Sequence, residues 1–164
     1  MDLMQLCGAV KNRYDDATVL ERPQEILIDV IGLGSGVVDR LREQNLPVRG
    51  VNVAEAPSTK KNYLNLRAEL WFAVKDWLVA RDCRLPDDDE LASELASPQY
   101  KYNSNGKIKI ESKDEMRKRG IKSPDKADAL ALTMASSAAS FSGSESVFGY
   151  NFKKPLKSRI IRVG

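Results

Sequence analysis

The chain contains no histidine among its 164 residues, and its only cysteines are Cys7 and Cys83. Without histidine, nucleophilic catalysis through a Ser–His or Cys–His pair is excluded. Two cysteines 76 positions apart provide neither a zinc-binding spacing nor a disulfide framework. Any hydrolytic chemistry must therefore depend on carboxylates, on lysines or on hard metal ions that prefer oxygen ligands.

Long apolar runs are also absent. No segment approaches the ~20 residues that a membrane-spanning helix needs, and the N-terminal stretch has no signal-peptide pattern. With 42% hydrophobic and 30% charged residues, the composition is that of a globular protein with a core. We therefore expect a cytoplasmic protein without membrane contact. Residues 1–140 would form one domain, and residues 141–164 a Ser/Gly linker with a basic tail.

Basic residues are concentrated in two segments, the tail at 151–164 and the run KDEMRKRG at 113–120. Both segments are candidates for sequence-independent, salt-sensitive contacts with the phosphates of DNA. The candidate side chains are Lys113, Arg117, Lys118, Arg119, Lys153, Lys154, Lys157 and Arg159. Solvated surface charge, or docking of the tail onto a partner protein, would give the same pattern.

Apolar periodicity and turn residues predict an α/β fold with long helices and a β-hairpin. The runs at 25–32 and 48–54 predict two buried parallel strands, joined by a helix at 37–45. The Gly32–Gly36 segment between the first strand and this helix is expected to form a tight loop. The other predicted elements are helices at 3–14, 60–81 and 87–96, a hairpin at 99–111 around Asn105-Gly106, and a helix that Ser123 caps and Pro124 starts.

Three carboxylates are the candidates for chemistry. Asp29 lies near the end of an apolar strand, and Asp125 and Asp128 share one face of a first helical turn. Each has an ordinary explanation, since a strand-end Asp caps loops and acids at a helix start oppose the helix dipole. If Asp29 and Asp128 approach within about 4 Å, however, their repulsion is about 4 kcal/mol at an effective dielectric constant of about 20. Such a pair requires a proton or a cation, and two Mg²⁺ or Mn²⁺ ions would suit phosphodiester hydrolysis.

Four motifs in series resemble one known family. They are ILIDVIGLGSGVVDRL, VRGVNVAEAPSTKKNYLNLRAELW, GKIKIESKDEMRKRG and SPDKADALALT. In order and spacing they resemble the C-terminal nuclease domain of large terminase subunits, the DNA-packaging motors of tailed phages and prophages. The DKADALA segment at 125–131 also resembles the last catalytic segment of RuvC-type resolvases, which share the RNase H-like superfamily.

This resemblance implies an activity and a set of site residues. The activity would be metal-dependent endonuclease cleavage of concatemeric double-stranded DNA with two Mg²⁺ or Mn²⁺ ions. Asp29 matches the second catalytic acid, Asp128 the final acid and Asp125 its helical neighbour, and all three would be metal ligands. Glu111 and Lys113 match positions near the substrate. The implied partners are double-stranded DNA, the terminase small subunit and the portal protein.

The sequence also departs from the family. No segment matches the strand that carries the first catalytic Asp, and no GxxxxGK[ST] motif of an ATPase domain occurs. We therefore expect an RNase H-like fold that is incomplete, lacks its first strands and has little or no nuclease activity. An exposed edge of such a sheet would invite self-association.

Two other functions remain open. The glycines at 32, 34 and 36 after a strand are similar to a dinucleotide-binding loop, but the third glycine comes one position too early for GxGxxG. The alternative is a non-catalytic prophage remnant or a module that binds DNA or the portal protein without cleaving.

Overall fold

A computed structural model describes residues 2–59, 61–81 and 83–139, with side chains up to residue 135. The chain divides into an N-terminal unit that ends at Val53 and a C-terminal unit that begins at Ala54. The predicted linker and basic tail at 141–164 lie outside the described residues.

The N-terminal unit is a helix followed by a strand–helix–strand motif. Its elements are α1 (Leu3–Asp16), β1 (Ile26–Asp29), α2 (Gly34–Glu43) and β2 (Val48–Val51). The two strands pair in parallel, as predicted, with Asp29 opposite Val51 at the end of the ladder. Helices α1 and α2 bury a small core between them, formed by Cys7, Val37, Leu41 and Leu46. This core fixes the position of β1 and of the acid that ends it.

Helix α2 begins three residues earlier than the sequence predicts. Gly34 and Gly36 lie inside the helix, and only Gly32, with φ of +73°, adopts the left-handed turn conformation. A Cβ on Gly34 would overlap the backbone carbonyl of Asp29, and a Cβ on Gly36 would crowd the side chain of Leu3. These glycines therefore permit close packing of the helix, and the expected five-residue loop is wrong.

Four helices and a hairpin make up the described part of the C-terminal unit. Its elements are α3 (Leu66–Val79), α4 (Asp89–Ala96), β3 (Tyr100–Tyr102), β4 (Ile108–Ile110), α5 (Lys113–Lys118) and α6 (Asp125–Ala139). Helix α6 packs against both α3 and α4, and α3 also contacts β4. The core between α3 and α6 includes Leu70, Trp71, Val74, Leu130 and Met134.

The predicted hairpin is confirmed. Strands β3 and β4 pair antiparallel, with Tyr100 opposite Ile110. The side chain of Asn103 accepts hydrogen bonds from the backbone N–H groups of Asn105 and Lys107 at 3.0 and 2.8 Å. Gly106 has φ of +71°, a conformation that glycine adopts without a steric penalty. Local turn chemistry therefore specifies this element.

Two helix starts in this unit differ from the prediction, and one helix, α5, was not predicted. Helix α3 begins at Leu66 instead of 60, because Asn65 caps it and accepts from the Ala68 N–H at 3.1 Å. The charged run at 113–120 forms helix α5, which buried Met116 anchors to the unit. Asp128 N–H donates to the Pro124 carbonyl at 2.8 Å, so Ser123 lies one residue before the cap position of α6.

Among the described residues, no helix is both long enough and apolar enough to cross a membrane.

Candidate functional site

The two aspartates at the start of α6 share one positively charged partner, the side chain of Lys113. Asp125 and Asp128 project from its first turn, and Lys113 projects from the first turn of α5. Lys113 Nζ lies 3.1 Å from Asp125 Oδ1 and 3.4 Å from Asp128 Oδ2. Asp125 and Asp128, here called the acidic pair, therefore direct one oxygen each to the same positive charge.

The charges in this group stabilise one another. Partial burial lowers the pKa of Lys113, but the hydrogen bond to Asp125 and the charge of Asp128 outweigh burial, so the pKa lies above its ordinary value. Burial raises the pKa of Asp125, yet hydrogen bonds from Ser123 and Lys113 bring it below the ordinary value. Both groups are therefore fully charged at neutral pH.

Asp128 is held more tightly than its neighbour. Its Oδ1 accepts from Arg67 Nε at 3.2 Å, Arg67 Nη2 at 3.0 Å and Trp71 Nε1 at 2.9 Å. Only 20% of the Asp128 side chain is exposed, against 75% for Asp125. A partly buried carboxylate of this kind is stable because several donors solvate it.

Glu111 accepts hydrogen bonds from two other residues of the C-terminal unit, Arg119 and Gln99. Arg119 Nε and Nη2 donate to its two oxygens at 2.7 and 2.6 Å, and the Gln99 N–H donates at 3.1 Å. The hydrogen bonds from Arg119 hold the pKa of Glu111 below its ordinary value despite the opposing effect of burial. The pair connects the end of β4 with the end of α5.

Asp29 belongs to the N-terminal unit, and its proximity to the acidic pair stays a prediction. It is half-buried, and its Oδ1 accepts from the Ile31 N–H at 3.0 Å. This is the loop-capping contact that the ordinary explanation of a strand-end Asp requires. It occupies one oxygen, and within residues 2–59, 61–81 and 83–139 no hydrogen bond or ion pair to the other is found.

The DNA-contact candidates fall into two groups. Lys113 and Arg119 form the ion pairs described above, Arg117 pairs with Asp114 at 2.8 Å, and Lys118 is exposed. Lys153, Lys154, Lys157 and Arg159 lie outside the described residues. Contact with DNA stays a prediction for both groups.

The acidic pair fits the chemistry of an oxygen-preferring divalent cation. Its two carboxylates already face one positive charge, and Mg²⁺ and Mn²⁺ are bound by such oxygens. In the described part of the chain, no group of three or more Asp, Glu, Cys or His side chains is arranged to hold a metal ion. The metal-ligand roles of Asp125 and Asp128 therefore stay a prediction.

Arg67 and Trp71 are the residues of the site that the sequence did not reveal. Trp71 lies in the core, with 7% exposure, and its indole N–H also binds Asp128. The available signal was a lone arginine one turn before a tryptophan on an apolar helix. Such a pair can carry two donors to one acceptor on a neighbouring helix.

The fold defined by these elements is that of a phage terminase nuclease domain. The nuclease domain of the large terminase subunit gp2 of the bacterial virus Sf6 matches with a TM-score of 0.59 and 26% identity, covering 77% of this chain and 68% of that chain. A lysine-to-alanine variant of that domain, solved with manganese and β-thujaplicinol, matches with a TM-score of 0.60 and 24% identity over the same shares. A variant solved with calcium gives 0.59 and 25%, again over 77% and 68%.

These structures confirm the resemblance that the four motifs predict. No protein-family model matches the chain, and no curated protein matches it significantly by sequence. The similarity to these structures therefore rests on the fold and on a sequence identity of 24–26%.

Proposed function

We propose that the chain is part of the metal-dependent nuclease module of a phage DNA-packaging terminase, a module that cleaves concatemeric double-stranded DNA in the cytoplasm of the host. The observation that carries the proposal is the acidic pair. In a fold similar to a terminase nuclease domain, Asp125 and Asp128 each turn one oxygen toward the same positive charge, the ammonium group of Lys113. The similar nuclease domain of Sf6 gp2 was solved with manganese and with calcium, which supports a divalent ion as the ligand of the acidic pair.

The proposed ligands are Asp29, Asp125 and Asp128. A divalent cation bound there would supply activation of a water molecule and stabilisation of the leaving oxygen in phosphodiester hydrolysis. Asp128 would be the rigid ligand, because three donors already fix one of its oxygens. Asp125 would be the adjustable ligand, since most of its side chain is exposed.

Lys113 has a separate role in the proposal. Its ammonium balances one of the two negative charges of the acidic pair, while Arg67 faces the other, and Lys113 can turn outward because half of its side chain is exposed. The four tail residues and the basic residues of α5 would bind phosphates without sequence preference. Double-stranded DNA is the proposed substrate, and the small subunit and the portal protein are the proposed partners in the motor.

Titration calorimetry with Mn²⁺ tests the metal site directly. We expect binding to the 164-residue chain, with affinity at least tenfold weaker in Asp128→Asn and weaker in Asp29→Asn and Asp125→Asn. Asp39→Asn is the matched control, because Asp39 is an exposed carboxylate on α2. Absence of Mn²⁺ binding to the unsubstituted chain would contradict the proposal and favour a non-catalytic remnant.

Cleavage is tested separately, because the family's first catalytic Asp has no match in this sequence. We expect little activity from the 164-residue chain on linear double-stranded DNA. A fusion that supplies the family's first strand and its Asp should cleave with Mg²⁺ or Mn²⁺. Asp29→Asn and Asp128→Asn should each abolish this cleavage, and undiminished cleavage by either variant would refute the assignment.

A further inference from the structure

We infer that Arg67 and Trp71 are positioning residues that fix Oδ1 of Asp128, so that Oδ2 points to a neighbouring cation. In this structure that cation is the ammonium group of Lys113. The inference rests on the proposed function for a divalent metal ion as the cation that binds Oδ2 in its place. Arg67 and Trp71 are here called the Asp128 clamp. In this inference both residues act on the metal through Asp128.

The clamp divides the two oxygens of Asp128 between two tasks. Three donor nitrogens, Arg67 Nε, Arg67 Nη2 and Trp71 Nε1, reach Oδ1 at 2.9 to 3.2 Å. Oδ2 faces Lys113 Nζ at 3.4 Å instead. The last torsion of an aspartate side chain is intrinsically broad, so a free carboxylate would exchange its two oxygens. Three donors on one oxygen remove that freedom and leave the other oxygen with a defined direction.

The two residues of the clamp are held in place by further contacts. Arg67 and Trp71 lie four residues apart on α3, and the guanidinium lies over the indole ring at 5.8 Å from its centroid. The remaining Arg67 nitrogen, Nη1, donates to the Glu111 carbonyl at 2.7 Å, which ties the guanidinium to the end of β4. Trp71 is 7% exposed and packs in the core between α3 and α6.

Packing alone does not account for the choice of these side chains. Phenylalanine would fill much of the space of Trp71 but offers no N–H, and lysine would keep the charge of Arg67 but offers no two-pronged donor. Hydrogen-bonding partners of metal ligands set their orientation, and their removal costs about 10–100-fold in metal affinity. The clamp has this arrangement around Asp128.

The first arm of the test is metal-free nuclear magnetic resonance of the two indole N–H groups. The chain has two tryptophans, so Trp77 is an internal reference for Trp71. We expect Asp128→Asn and Arg67→Lys to move the Trp71 signal and leave the Trp77 signal unchanged. The ammonium signal of Lys113 should move in Trp71→Phe and Arg67→Lys, because Oδ2 loses its fixed direction. An unchanged Trp71 signal in Asp128→Asn, or an unchanged Lys113 signal in both clamp variants, would overturn the inference.

The second arm measures Mn²⁺ affinity by calorimetry. Trp71→Phe and Arg67→Lys should each weaken binding by about tenfold or more, whereas Trp77→Phe and Arg84→Lys, the latter at an exposed position, should not. Circular dichroism melting identifies a variant that fails to fold, and the other clamp variant then decides the outcome. Wild-type affinity in both clamp variants would overturn the inference.

The two arms separate the inference from the proposed function. If the unsubstituted chain binds no Mn²⁺, the proposed function fails. The Trp71 and Lys113 signals then decide whether the clamp orients Asp128 toward its resident ammonium.

Discussion

Gly34 lies against the backbone of Asp29 so closely that a Cβ at position 34 would overlap the Asp29 carbonyl oxygen. The first residue of helix α2 therefore packs directly against the last residue of strand β1. Only the hydrogen atom that glycine carries in place of a Cβ fits between the two backbones. The position of Asp29, the proposed metal ligand of the N-terminal unit, depends on this contact. A helix-interior glycine normally weakens a helix, so its presence at this point has a packing reason.

The first prediction is that Gly34→Ala destabilises the chain by about 1–3 kcal/mol, the usual cost of forcing extra atoms into a packed region. The added methyl group must displace backbone, which cannot rotate away as a side chain can. Urea unfolding followed by circular dichroism measures the change. Gly8→Ala is the matched control, because Gly8 lies inside α1 with open space around it. This control should be stabilised by about 0.5–1 kcal/mol, and equal loss of stability in both variants would contradict the prediction.

Elements with local signals could be predicted from the sequence. The hairpin follows from Asn105-Gly106, and the parallel pair β1–β2 follows from two apolar runs that flank a helix. Two helix starts were missed although each has a local signal, since Asn65 caps α3 and Ser112 and Glu115 form a capping box at α5. The tertiary contacts could not be predicted, namely that of Glu69 with Ser58 before α3 and the burial of Met116 in a charged run.

The candidate site was predictable only in part. The i, i+3 spacing brings Asp125 and Asp128 to one face, and this follows from helical geometry alone. Their shared cation in the structure, however, is Lys113, which sequence spacing of 12 and 15 residues does not reveal. The donors to Asp128 come from a helix about 60 residues earlier, and tertiary packing alone places them.

The second prediction concerns Lys113 as a competitor of a divalent ion. Lys113→Met should raise the affinity for Mn²⁺ by about fivefold, because it removes a positive charge that faces the same two carboxylates. The effect is modest, since Lys113 is half-exposed and solvent screens its charge. Calorimetry at constant ionic strength gives the measurement, with Lys118→Met, an exposed lysine of the same helix, as the control. A weaker affinity in Lys113→Met would show that the lysine supports binding instead of opposing it.

The third prediction concerns the loop before α3. Glu69 is 2% exposed, and its carboxylate accepts from the Ser58 N–H at 2.7 Å, the Ser58 hydroxyl at 2.5 Å and the Thr59 N–H at 3.0 Å. Glu69→Gln replaces one acceptor oxygen with a donor, so at least one N–H or O–H loses its partner. We expect a loss of about 1–3 kcal/mol in the free energy of unfolding. Glu55→Gln, at an exposed position in the same loop, should change it by less than about 0.5 kcal/mol, and similar losses in both would disprove the role of Glu69.

The last prediction concerns acid sensitivity. Glu115 accepts hydrogen bonds from Lys101 and from the Ser112 backbone and hydroxyl, and together they place its pKa far below the ordinary value of 4.5. A carboxylate whose pKa is lower in the folded state stabilises the fold above its unfolded pKa, and this contribution is lost as pH falls toward the folded pKa. The free energy of unfolding should therefore decrease steadily as pH is lowered below about 5.

Glu115→Gln removes this contribution, because glutamine binds no proton in either state. The variant should be less stable than the unsubstituted chain at pH 7, and its stability should fall less steeply below pH 4.5, the ordinary pKa. Urea unfolding at a series of pH values measures both effects. Asp114→Asn is the control on the same helix, since Asp114 forms an exposed pair with Arg117, and such pairs contribute little. Parallel pH profiles for Glu115→Gln and the unsubstituted chain would show that Glu115 is not the source of the acid sensitivity.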